Sequence, residues 1–181
     1  MMRSALAILA VAAVAFPGCH AHIDDDDCGC ANWYLTYPNG HPIAASTSSS
    51  FVLGQETALL SMVNSHRVAM GIPALIDDGL MRDVARAHSI HMAIGDFTGE
   101  TNPEGDDAAD RADLAGVVWS MYYEAREYGW DHPADVYADF LSDSGTHAII
   151  DDPAFIYAGV GYEFDPDSIW GDYWTMDFRA P

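Results

Sequence analysis

The chain closes on two strand-like runs, and they limit the fold more than anything before them. Residues 157–164 read YAGVGYEF and residues 173–178 read YWTMDF. Between them lies DPDSIWGD, whose Asp, Pro and Gly are turn residues. The two runs therefore predict an antiparallel hairpin. The helix-period segments come earlier in the chain. Helices followed by adjacent strands suit an α+β sandwich built on an antiparallel sheet.

Residues 55–70 place Leu59, Met62, Val63 and Met70 near the helical period, and Gly71-Ile72-Pro73 ends that helix. Asp77 or Asp78 can cap a second helix, because its carboxylate accepts the free N–H groups of a first turn. Along it Leu80, Val84, Ala87 and His91 form one stripe, Met81, Ala85, His88 and Met92 form the next, and Gly95 stops it. Residues 106–115 predict a short acidic helix carrying Arg111. Residues 117–123 predict an extended segment reaching Glu124. Pro133 suits a helix first turn, where its missing N–H leaves nothing unpaired, and this helix runs to Ser142. His147 follows in a loop or short helix before Asp152-Pro153.

The ends and the charge narrow the setting. Arg3 and the apolar run at 5–16 predict a signal peptide over residues 1–19, too short for a membrane span. Gly18-Cys19 resembles a bacterial lipobox, which implies acylation of Cys19. Residues 20–50 read as an acidic and Ser/Thr-rich tether, with NWYLTYPNGHP able to pack onto a domain at 51–181. In an oxidising compartment Cys28 and Cys30 form a local disulfide or stay as thiols. The 181 residues hold 28 acids against seven Arg and no Lys, a formal charge of −21. Such a surface repels nucleic acid and anionic bilayers. The only membrane contact expected is a lipid on Cys19.

Several blocks then occur in one order. They are Asn64-Ser65-His66-Arg67 with Gly71-Ile72-Pro73-Ala74-Leu75, and Ala85-Arg86-Ala87-His88-Ser89 with Met92. Thr101-Asn102-Pro103-Glu104-Gly105 and Asp110-Arg111 follow. Gly159-Val160-Gly161-Tyr162 and Tyr173-Trp174-Thr175-Met176-Asp177-Phe178 end the series. This order resembles the CAP superfamily of cysteine-rich secretory, antigen 5 and pathogenesis-related proteins (SCP-like), in its compact bacterial secreted branch. The resemblance implies a three-layer α-β-α sandwich with a central antiparallel sheet. It also implies a cleft with two His and two Glu, the His pair binding a divalent metal in several members. Carried onto this chain, that cleft becomes Glu100 in place of the first His, then Glu124, Asp143 and His147.

Three carboxylates with one imidazole are a poor start for zinc and suit calcium or magnesium better. Glu124 and His147 are the candidates for a metal, zinc or calcium, and for acid–base catalysis. No G-x-S-x-G is present and no Cys lies in the domain, so no nucleophile is marked. His88 and His91 read as core or hydrogen-bonded residues, and His132 as a loop residue. DPDSIWGD lacks the ligand spacing of a calcium loop. The expectation is a secreted or lipid-anchored, extracytoplasmic module that binds an envelope lipid, a glycan or a surface protein. A metal-dependent hydrolase, such as a peptidase, using Glu124 and His147 is the alternative. A structural envelope protein with a degenerate site is a third.

Overall fold

A computed structural model describes residues 34–36, 42–45 and 49–181, the first two segments as backbone only. Cys19, Cys28, Cys30 and the signal segment lie outside the described residues. Two short strands fall inside the stretch read as a tether: β1 (Tyr34–Thr36) and β2 (Pro42–Ala45), paired antiparallel. The β2 backbone lies against the second helix.

The first helix, α1 (Ser50–Ala69), starts earlier than its apolar periodicity suggests, because Ser49 caps it by accepting the N–H of Val52 at 3.2 Å. β3 (Ile76–Asp77) follows. Asp78 then caps α2 (Gly79–Gly95) through the N–H groups of Leu80 and Met81. Asp107 and Asp110 cap α3 (Ala108–Ala115) reciprocally, so part of the acidic run is helix-capping chemistry. Gly116 ends α3 at φ 81° and ties Val117 back to Ala112, so the next strand, β4, runs Met121–Tyr128 instead of starting at Val117. α4 (Pro133–Ser142) and α5 (Ser144–Ile150) precede the hairpin strands β5 (Tyr157–Phe164) and β6 (Asp172–Ala180).

The sheet order is β3-β5-β6-β4. The β5–β6 and β6–β4 pairings are antiparallel, and only the two-residue β3 is parallel to its neighbour. Strand alternation divides the sheet faces. Ala158, Val160, Tyr162, Ala125, Trp174, Met176 and Phe178 pack with Leu59 and Val63 of α1, Val136 and Phe140 of α4, and Ile150 of α5. The other face receives α2 and α3, where Met81, Val84, Ala112 and Val117 pack together. The result is a three-layer α-β-α sandwich.

The layers are tied at two points. Glu56 of α1 and Arg86 of α2 form a buried ion pair beside β5, with Arg86 Nε donating to Glu56 Oε1 at 2.8 Å. The same carboxylate accepts the N–H of Tyr162 at 3.2 Å, on the edge of β5 that β3 leaves open. At the other end, Arg67 is 1% exposed and donates to four carbonyls: Pro73, Ile150, Asp152 and Phe155. No helix among the described residues is long and apolar enough to cross a membrane.

Candidate functional site

Glu124 sits mid-strand on β4 and faces α2 and α3. Its side chain is 1% exposed. Arg111 Nη2 donates to its Oε2 at 2.6 Å and Arg126 Nη1 donates to its Oε1 at 2.9 Å. His88 Nε2 stands 3.5 Å from Oε1 and 3.1 Å from the Gly99 carbonyl. Arg111 also donates to the carbonyls of Glu100 at 2.7 Å and Asp106 at 3.0 Å. The Glu100 carboxylate reaches Arg126 at 3.8 Å. Glu100 and Glu124 are thus brought together by two guanidiniums they share.

Asp177 lies directly across from Glu124 in the β4–β6 register and is fully buried. It faces the Tyr122 hydroxyl, but neither of its oxygens has a well-aligned hydrogen bond. Burial and the Glu124 charge push its carboxyl far above the usual range, so it is protonated. For Glu124, burial acts upward, but the positive charges beside it, that of His88 when protonated and those of Arg111 and Arg126, hold its carboxyl below the usual range. Burial drives the His88 imidazole down to about 4, against the pull of Glu124. At neutral pH His88 is therefore uncharged, and the two guanidiniums carry the compensation. One anion, one neutral acid and two fixed cations make a closed internal network. Cations already engaged with both Glu124 oxygens oppose a divalent ion there.

The other two candidates lie elsewhere. Asp143 caps α5, accepting the Thr146 N–H at 2.7 Å, and that bond holds its carboxyl below the usual range. The Tyr123 hydroxyl, on the opposite face of β4 from Glu124, meets Thr146 Oγ1 at 3.1 Å. His147 belongs to this α5 side. Its Nε2 is 3.4 Å from Asp151 Oδ2, and its ring centroid is 5.6 Å from that of His66. Expected as one cleft, the four residues are divided by the sheet: Glu100 and Glu124 on one face, Asp143 and His147 on the other. Counting along motifs gives strand position but not which face a neighbouring helix covers. His66, Arg126 and Asp177 were not singled out as site residues. The four-residue spacing of His147 and Asp151 was a usable signal, since it puts both on one side of a helix.

Two further acids bear on pH. Burial, then Asp139 and Asp143, raise Glu127 to about 7; burial, then Asp165, raise Glu163 to about 7, with Arg86 opposing. Both bind their protons more tightly in the folded chain, so their contribution is present at low pH and is lost as pH rises toward 7. His88, held neutral, acts in reverse and gains stability between about 4 and its ordinary value. Two acids outweigh one imidazole. Urea-unfolding midpoints are expected to fall from pH 5 to pH 7.5, and Glu127→Gln with Glu163→Gln should flatten that slope. A midpoint that rises over this range would refute the assignment.

No protein-family model matches the sequence, and no curated protein matches it significantly. Solved structures do match. One is an extracellular protein containing an SCP domain from Bacillus anthracis, 19% identical over 71% of this chain and 41% of that one, with TM-score 0.64. An outer surface protein of Borrelia burgdorferi is 16% identical over 68% of this chain and 90% of its own, with TM-score 0.63. A cysteine-rich secretory protein of Staphylococcus aureus is 14% identical over 75% and 42%, with TM-score 0.58. The chain spans less than half the length of the Bacillus and Staphylococcus proteins. The layers, the strand order and these likenesses agree with the motif order in the sequence: the chain has the fold of the CAP superfamily, the SCP domain.

Proposed function

We propose that this chain is an extracytoplasmic CAP-domain binding module, held at the cell envelope by a lipid on Cys19. Its ligand is an envelope lipid, a glycan or a surface protein. The observation that carries this reading is the closure of Glu124. Its side chain is 1% exposed and both oxygens are occupied by Arg111 and Arg126. A general base needs a lone pair within reach of substrate, and at 1% exposure the Glu124 carboxylate presents none. The hydrolase alternative also needs Glu124 and His147 at one centre, which the sheet between them opposes. The three solved structures are described as extracellular, outer-surface and secretory proteins, which supports a place outside the cytoplasm.

The test sediments the full chain with peptidoglycan sacculi and with phosphatidylethanolamine/phosphatidylglycerol vesicles. In parallel it assays casein and p-nitrophenyl acetate hydrolysis. Association with one of the two particles and no turnover is expected. Glu124→Gln should leave association intact at low temperature. It should lower stability by about 3 kcal/mol, the scale for uncovering a buried charge pair. Turnover that Glu124→Gln abolishes in a folded variant would establish the hydrolase instead. Labelled palmitate on the wild type but not on Cys19→Ser tests the anchor.

A further inference from the structure

We propose that His66, His147 and Asp151 form a binding site for a divalent transition-metal ion of the zinc class. The inference is independent of the binding-module reading and lies across the sheet from Glu124. Two helices supply the three side chains. His66 sits in the last turn of α1, while His147 and the helix-ending Asp151 lie one turn apart on α5. Both imidazoles turn Nε2 to the same carboxylate, His66 at 2.8 Å from Oδ1 and His147 at 3.4 Å from Oδ2. One ligand atom from each residue can be chosen so that all lie within 4.8 Å of one another.

Two imidazole nitrogens and one carboxylate oxygen are a donor set that zinc uses with three protein ligands and an open fourth position. Bonds of about 2.0–2.1 Å set tetrahedral ligand separations near 3.4 Å. The three atoms therefore need only side-chain rotation to close on an ion. The imidazoles select against calcium and magnesium, which take oxygen donors. Exposure is graded: the side chains of His66, Asp151 and His147 are 17%, 32% and 40% accessible. Water and an ion can reach the site, yet the ligands are not free surface groups.

The surroundings hold these ligands in register. Arg67, next to His66, donates to the carbonyls of Ile150 at 2.7 Å and Asp152 at 3.1 Å, fixing the end of α5 against α1. Asp143 caps the other end of α5, and Thr146 anchors it to Tyr123. The His66 ring packs edge-on to Tyr137, with centroids 6.4 Å apart. A metal site gains affinity from such pre-set supports.

The test uses the metal-stripped full chain. Its N-terminus carries His20, His22, Cys28 and Cys30, whose side chains are of metal-donor type. Every measurement is therefore a difference between the wild type and His66→Gln, His147→Gln and Asp151→Asn. Calorimetric titration with zinc is expected to show one equivalent more in the wild type than in either His variant, with Asp151→Asn at least about tenfold weaker. Cobalt(II) should give the visible absorption of a four-coordinate site in the wild type and lose it in both His variants. Zinc should raise the wild-type melting temperature and leave the variants unchanged. Calcium should give no such difference. Equal zinc stoichiometry and affinity in the wild type and the variants would overturn the site. His147→Gln decides the matter even if His66→Gln fails to fold, because His147 is the most exposed of the three.

Discussion

Gly161→Ala is expected to lower stability by about 3 kcal/mol or more, beyond the usual range for overfilling a core. A Cβ at that position would stand 2.1 Å from the Arg86 nitrogen and 2.3 Å from the Ala85 carbonyl carbon. These are backbone atoms of α2, so no side chain can rotate away. Gly159→Ala meets the same obstacle one turn earlier, 2.2 Å from the Arg82 nitrogen. The pair of glycines lets α2 lie directly on β5, with the Ser89 hydroxyl donating to the Gly161 carbonyl at 3.1 Å and accepting from the Thr175 hydroxyl at 2.9 Å. Gly54→Ala is the control. Nothing lies within 4 Å of its added Cβ, and it sits inside α1, so it should stabilise by roughly 0.5–1 kcal/mol. Urea unfolding of the three variants checks the ordering. Loss of less than about 1 kcal/mol in Gly161→Ala would mean that α2 does not approach the sheet this closely.

Arg67→Ala should cost about 4 kcal/mol, on the scale of breaking a buried charged network. Its guanidinium serves the Pro73 carbonyl and three carbonyls around the α5 exit, and the Ile150 and Phe155 bonds are buried. Removing it strands those acceptors away from water and opens a cavity. Arg67→Lys should recover little, because an ammonium lacks the planar fork that reaches four oxygens at once. Both variants should also speed amide exchange at residues 147–152 before global unfolding, since the α5 exit loses its clasp. Protection there equal to the wild type would show that the apolar contact of Ile150 suffices to hold α5.

The sequence carried the frame more fully than the chemistry. The GVGY and YWTMDF runs marked the two longest-range strands, and they pair as neighbours. The Asn64–Arg67 block was legible as a motif, and the structure gives its reason. Asn64 exchanges two hydrogen bonds with the Leu75 backbone, at 2.7 and 3.0 Å, one turn before Arg67 makes its four. β3 was not legible, because two residues carry no periodicity. Glu124 was found by counting, but its partners were not. Arg111 reaches it from α3, and Arg126 reaches it because residues two apart on a strand share a face. His147 was found and its neighbour His66 was missed, since His66 is 81 residues earlier and only the packing of α1 on α5 joins them.

The brevity of β3 has a consequence for self-association. Beyond Ala158, no strand among the described residues lies on the outer side of β5, and a bare strand edge is a template for a strand from another molecule. Glu56 already occupies the Tyr162 N–H and Arg86 holds it there, so an incoming strand finds that donor taken and an ion pair in its path. Around this edge lies a chain of charge −21, which keeps copies apart at low ionic strength. Salt shortens the reach of that repulsion to about 3 Å at 1 M but leaves the buried pair intact. The two defences therefore answer to different conditions: charge governs approach, and Glu56 governs what happens on contact.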